Sequence, residues 1–180
     1  AELIPTDVLF LALPHGQAQH NIAKYAAVAE HIIDLSADFR LRDADLYQQW
    51  YGEPHAAPDW LDKFVYGLPE LYRDELKSAK YVSGVGCNAT AVNLGLLPLV
   101  NAGLLDEHQP IIAELKVGSS EGGASVNPGS HHPERSSTVR TYKPYGHRHT
   151  AEVIQESGLA DVSLTMTSVG LVRGALATVH

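Results

Sequence analysis

The alternation of apolar and polar positions divides the first half of the chain into strands and helices. Asp7-Val8-Leu9-Phe10-Leu11-Ala12-Leu13 is almost continuously apolar and reads as a buried parallel strand, stopped by Pro14-His15-Gly16. From Gln17 to Ala29 the apolar residues Ala18, Ile22, Tyr25, Ala26 and Ala29 fall at helical spacing. His31-Ile32-Ile33-Asp34-Leu35 is a second strand. Strand, helix and strand in this order predict a right-handed crossover and a parallel sheet. Asp43 predicts the N-cap of a short helix from Ala44 to about Trp50. Residues 51–69 carry Gly52, Pro54, Pro58, Gly67 and Pro69 and read as an irregular cover loop. The aromatic residues in and beside it, Trp50, Tyr51, Trp60 and Tyr66, are expected to pack against the domain. Leu71 to Ala79 reads as a helix and Tyr81 to Ser83 as a third strand.

That strand runs into Gly84-Val85-Gly86-Cys87-Asn88-Ala89-Thr90 and then an apolar run from Ala91 to Leu105, the grammar of strand, tight turn and helix. Pro110 to Val117 is apolar enough for a strand. Gly118 to Ser125, through Ala124, is a Gly/Ser loop of the kind that lets a backbone approach a ligand, or a long hairpin connection. Thr150 is placed to cap a helix from Ala151 to about Ser157. Asp161 to Val169 alternates Val162, Leu164 and Met166 against Ser163, Thr165 and Thr167, a strand with one wet face. Ala175 to Val179 reads as another strand. The fold class expected is α/β, a parallel sheet followed by β-richer sequence.

Composition narrows the function. Hydrophobic residues make up 44% of the 180, enough for a core. No apolar run reaches membrane-spanning length and no signal-peptide pattern starts at Ala1, so no membrane role and a cytoplasmic location are expected. One cysteine excludes an intramolecular disulfide framework. A net charge of −8 argues against nucleic-acid binding by the chain as a whole. The charge is uneven: from Gly129 to His149 the chain carries Arg135, Arg140, Lys143, Arg148 and four histidines against the single acid Glu134. That stretch reads either as ordinary solvated scatter or as a surface for an anionic partner.

Cys87 is the first candidate for chemistry. A thiol at the start of a helix sits near unpaired backbone N–H groups and the positive end of the dipole, which favour the nucleophilic thiolate. The competing reading is a small buried residue filling a gap. Two loops, Pro14-His15-Gly16 and Ser36-Ala37-Asp38-Phe39-Arg40, follow the carboxyl ends of the first two strands, where open parallel sheets bind ligands. Arg40 suits a phosphate or carboxylate clamp, or a salt bridge to Asp38 or Asp43. His131, His132, His147 and His149 match no common zinc spacing, so no metal is expected. A histidine paired with Cys87 as general base and acid is the alternative chemistry.

At this point six ordered motifs carry a resemblance. They are Ile33-Asp34-Leu35-Ser36-Ala37-Asp38-Phe39-Arg40, Trp50-Tyr51-Gly52, Tyr66-Gly67-Leu68-Pro69-Glu70-Leu71, Gly86-Cys87-Asn88-Ala89-Thr90-Ala91, Gly146-His147-Arg148-His149-Thr150 and Val172-Arg173-Gly174-Ala175-Leu176-Ala177-Thr178. In this order they resemble the N-acetyl-γ-glutamyl-phosphate reductases, relatives of aspartate-semialdehyde dehydrogenase, through essentially the whole chain. The cysteine loop reads Gly-Cys-Asn-Ala-Thr where the acetylglutamyl enzymes usually have Gly-Cys-Tyr-Pro-Thr. That loop, with Lys116 to Gly123 and Ser130-His131-His132-Pro133-Glu134-Arg135, is similar to the branch acting on aminoadipate or glutamate held on a small acidic carrier protein.

The resemblance implies NADPH-dependent reduction of an acyl phosphate to a semialdehyde in lysine or arginine biosynthesis, with NADP(H) as cofactor. It implies residues 1–86 as part of a Rossmann-like NAD(P)-binding domain and 87–180 as part of a catalytic and dimerisation domain, from a protein that is a homo-oligomer at full length. The family's opening Gly-rich turn and its late segments lie outside this sequence, so an internal fragment is expected. Cys87 takes the place of the attacking thiol, and His147 that of the base, with His149 as the alternative. Arg40 takes the place of a phosphate-binding arginine. Arg148, His149 and Asn88 are implied at the substrate, and Pro14, His15, Gly16, Ser36 and Ala37 at the cofactor. Basic residues between Gly129 and His149 suit an acidic carrier. An acetylglutamyl-phosphate reductase, a non-catalytic carrier-binding fragment and a cysteine hydrolase remain as alternatives.

Overall fold

A computed structural model describes residues 3–106, 108–123, 125–127 and 129–180. Ala1, where no signal peptide pattern was found, and Ala124 of the Gly/Ser loop lie outside the described residues. The chain divides into two compact units, Ala1–Gly86 and Cys87–His180.

The first unit is built on four parallel strands, β1 (Thr6–Leu11), β2 (Ala29–Asp34), β3 (Phe64–Tyr66) and β4 (Tyr81–Ser83), in the order β1-β2-β4-β3. Helices α1 (Ile22–Ala26), α2 (Ala44–Tyr51) and α3 (Pro69–Leu76) connect them. The parallel crossover is as the sequence predicts, with two corrections. β1 lies at the edge of the sheet with Val8 44% and Phe10 60% exposed, so it is not a buried strand. The first helix is confined to Ile22–Ala26, because the N–H of Gln19 is drawn to the Asp38 carboxylate, and Ala29 already belongs to β2.

Asp43 caps α2 as expected, accepting hydrogen bonds from the N–H groups of Asp45 and Leu46. The expected cover loop contains a 3₁₀ turn at Pro58–Lys63 and the three-residue β3, too short to leave a period-2 signal. Its aromatic residues pack inward: Phe39 stacks on Phe64 at 4.1 Å, and Trp60 meets Tyr81 edge-on at 5.5 Å. The core gathers Leu11, Ile22, Ile32, Phe39, Leu61 and Phe64.

The second unit begins with α4 (Cys87–Asn101) and continues through β5 (Ile111–Val117), α5 (His132–Arg135), β6 (Val139–Lys143), α6 (His149–Ser157), β7 (Val162–Val169) and β8 (Ala175–Val179). The sheet runs β6-β7-β5-β8, with β5 and β7 parallel and the outer pairs antiparallel. β5 and β7 bury alternate residues, Ile111, Ala113, Leu115 and Val117 on one, Val162, Leu164, Met166 and Ser168 on the other, against Ala89, Val92 and Leu96 of α4. β6 lies within the basic stretch and every residue in it is exposed, so burial left no alternation to read. The helix expected at Ala151 starts at His149, and Thr150 is buried inside it rather than capping it. No helix among the described residues is long and apolar enough to cross a membrane.

Candidate active site

Cys87 is the first residue of a 15-residue helix, is exposed, and has no acidic residue in its helix's first turn. The N–H groups of that turn have no intrahelical carbonyl to bond, and their partial charge favours a thiolate. Beside it Asn88 is fully buried, and its Nδ2 donates to Glu121 Oε1 at 2.8 Å. The Asn88 Oδ1 is buried without a hydrogen-bond partner among the described residues.

Glu121 is held in place from behind. Gly118, Ser119 and Ser120 donate backbone hydrogen bonds to Gly174, Leu171 and Val172 at 2.8–2.9 Å. A Cβ on Gly118 would lie 2.8 Å from the backbone of Arg173, so only glycine permits this approach. Glu121 also receives the Tyr142 hydroxyl, at 2.9 Å from Oε1 and 2.8 Å from Oε2. Burial raises the Tyr142 pKa, and the hydrogen bond to Glu121, its charge and the charge of Cys87 add to the rise, opposed by Arg135. Tyr142 thus senses both Glu121 and the thiol.

Glu121 and Tyr142 line a cleft of about 250 Å³ together with His147, Ser130, Arg135 and Arg140. Arg135 is 7% exposed and donates to three backbone carbonyls, Val117, Gly129 (3.3 Å) and Val169 (3.1 Å). It braces three segments and does not belong to an open docking surface, which corrects its place in the basic stretch. Arg140 is exposed.

The two histidines of Gly146-His147-Arg148-His149 separate. His147 lines the cleft; burial lowers its pKa to about 4, with Glu121 opposing and Arg148 and Lys143 reinforcing the shift. Its Nδ1 accepts the His149 N–H at 3.2 Å. His149 is 5% exposed, with Nε2 3.9 Å from Oε1 of the fully buried Glu152. Arg148 is exposed at the N-cap of α6. Among the described residues no three His, Cys, Asp or Glu side chains gather as a metal site.

In the first unit the two loops after β1 and β2 meet on one carboxylate. Asp38, fully buried, accepts from the N–H of Gly16 (2.6 Å) and the N–H of Gln19 (3.0 Å), and its Oδ1 lies 2.9 Å from Nδ1 of His15. Burial alone would raise its pKa, but the His15 ring and these amides outweigh burial and hold it below the usual carboxylate value. Gly16 has φ +85°, a conformation other residues adopt only under strain. His15 packs on the Tyr51 ring at 4.4 Å. The Ser36 hydroxyl donates to Asp34 at 2.7 Å and Ala37 is buried, so their side chains turn inward and only their backbone can meet a ligand. Pro14 is exposed beside them. Arg40 is 9% exposed and its Nε donates to the Gly84 carbonyl at 2.8 Å. Sequence reasoning offered Asp38 only as a salt-bridge alternative for Arg40 and gave Glu121 no role, since a carboxylate's partners are set by the tertiary fold.

Residues 1–79 match the family described as semialdehyde dehydrogenase, NAD binding domain, and residues 87–180 match semialdehyde dehydrogenase, dimerisation domain. A Thermomicrobium roseum protein named putative [LysW]-L-2-aminoadipate 6-phosphate reductase is 52% identical over 182 residues, covering 99% of this chain and 52% of its own length. The [LysW]-L-2-aminoadipate/[LysW]-L-glutamate phosphate reductase of Sulfurisphaera tokodaii is 51% identical, over 97% of this chain and 51% of its own. The chain thus spans about half the length of the curated relatives it matches. The crystal structure of aspartate semialdehyde dehydrogenase II from Vibrio cholerae superposes with a TM-score of 0.67 at 11% identity, over 97% of this chain and 55% of that one. That last likeness concerns the fold.

Proposed function

Since this chain belongs to the semialdehyde dehydrogenase family, we propose that its protein reduces an aminoadipate or glutamate acyl phosphate, held on a small acidic carrier protein, to the semialdehyde with release of phosphate. The observation that carries this reading is the exposed Cys87 at its helix start, whose neighbour Asn88 bonds Glu121 of the cleft that His147 also lines, in a chain about half identical to reductases named for carrier-linked substrates. The Cys87 thiolate attacks the acyl carbon, the bond to the phosphate oxygen breaks, and phosphate leaves with the electron pair. First-turn amides of α4 stabilise the tetrahedral oxyanion. His147 accepts the thiol proton and returns one to the collapsing intermediate.

NADP(H) is the proposed cofactor, and it supplies the hydride when bound. The residues that fit it are Pro14, His15 and Gly16, with the backbone of Ser36 and Ala37: Gly16's positive φ keeps that turn free of a side chain, and Asp38 fixes its shape. Arg40 is proposed for the phosphate and Arg148 for a substrate carboxylate. Arg140, Lys143 and Arg148 are exposed and suit the acidic carrier, and the dimerisation-domain match suits a homo-oligomer.

The test uses the full-length protein in the reverse direction, with NADP and phosphate. One reaction holds carrier-linked aminoadipate or glutamate semialdehyde, the other free N-acetylglutamate semialdehyde. Turnover confined to the carrier-linked compound is expected. Turnover confined to the free compound would move the protein to the acetylglutamyl reaction.

A further inference from the structure

Glu121 has no part in the mechanism as proposed, yet three hydrogen bonds from two residues converge on it. It receives Asn88, the residue after the thiol, and both its oxygens receive Tyr142. Both donors are neutral, and among the described residues no Lys, Arg or His lies within ion-pair distance of its carboxylate. Glu121 and His147 line the same cleft. A carboxylate held only by neutral donors keeps its charge available to whatever faces it.

We propose that Glu121 is a positioning residue of the thiol site: it ties the helix turn bearing Cys87 to Tyr142 and sets a fixed negative charge for His147. This rests on reading Cys87 as the acylated thiol and His147 as its proton acceptor. In neutral His147 the nitrogen without a proton is Nδ1, which holds the His149 N–H. When the proton leaves Cys87 Sγ for that nitrogen, thiol becomes thiolate, the ring becomes a cation, and the His149 bond is lost. The charged groups around the ring are unequal. Arg148 and Lys143 disfavour the second proton, Arg135 and Arg140 line the same cleft, His149 faces the ring edge-on at 4.6 Å, and Glu121 favours the proton. Glu121 is thus the anion that offsets the cation the reaction creates.

The test is Glu121→Gln in the full-length protein, which keeps size and shape and removes charge. The His147 titration, followed by NMR of the ring Cε1–H, is expected to fall by about half a pH unit or more. kcat in the reverse reaction is expected to fall about tenfold or more, with KM values within about twofold. A lower kcat with an unmoved titration would reduce Glu121 to a structural brace and overturn the proposal, as would no change in either. Should Glu121→Gln not fold, Tyr142→Phe removes a donor and leaves the charge. It is expected to raise the His147 midpoint, and an unmoved or lowered midpoint overturns the proposal. The titration needs no substrate, so it stands or falls separately from the carrier-linked activity.

Discussion

The backbone N–H of His149 donates to Nδ1 of His147 at 3.2 Å. A backbone amide can only donate, so Nδ1 carries no proton and the neutral ring holds its hydrogen on Nε2. Protonating the ring means breaking that bond in a buried place, and burial is also what pushes its pKa down to about 4. Nitrogen-resolved NMR of the full-length protein at neutral pH is expected to show His147 as the Nε2–H tautomer. The Nδ1–H tautomer would remove the His149 bond from the account.

The same depressed value couples His147 to stability. Between the ordinary histidine value of 6.5 and about 4, the folded protein binds fewer protons here than the unfolded chain. Stability from this group is therefore complete above pH 6.5 and is lost as pH falls through that window towards 4. Thermal midpoints measured from pH 7 to pH 4.5 are expected to drop less steeply in His147→Gln than in the unaltered protein. Parallel slopes would contradict the assignment.

Asp38 supplies a second acid-sensitive element. Its carboxyl is held below 3.8, so its contribution is present above that value and lost as pH falls through the lower folded value. Asp38→Asn keeps the shape but leaves the Gly16 or the Gln19 N–H facing an amide N–H. A loss of about 1–3 kcal/mol is expected in urea unfolding, because a buried donor left without an acceptor costs about that much. A loss under about 0.5 kcal/mol would show that water satisfies these donors.

Arg135 and Arg140 stand five residues apart in the basic stretch but have different work. Arg135 holds three carbonyls from inside, whereas Arg140 is exposed. Arg135→Ala is expected to cost about 3 kcal/mol or more through orphaned carbonyls and a cavity. Arg140→Ala is expected to leave stability within about 0.5 kcal/mol while slowing carrier association and flattening its salt dependence. Equal destabilisation by the two, or a carrier on-rate indifferent to Arg140 and to salt, would contradict this division.

Much of this was legible in the sequence because it depends on local signals. Asp43 announced its helix, the glycines before Cys87 announced the turn, and the alternation from Val162 to Met166 gave β7 its buried face. What stayed hidden depends on neighbours distant in the chain. β3 is three residues long and owes its existence to β4. β6 is exposed throughout and is a strand only because β7 lies beside it. Arg135 reads as surface charge until its three carbonyl partners are placed. Asp38 and Glu121 look like two acids in loops, and only the fold shows that each gathers donors from separate segments.

In the proposed reaction Cys87 takes an acyl group from a carrier-linked acyl phosphate. The measurement that tests it most directly is intact and peptide mass spectrometry of the full-length protein, mixed with carrier-linked aminoadipate 6-phosphate in the absence of nicotinamide cofactor and quenched in acid. Release of phosphate and a thioester joining the carrier-linked acyl group to Cys87, absent in Cys87→Ser, are expected. No adduct, an adduct on another residue, or an adduct formed only from N-acetylglutamyl phosphate would contradict it.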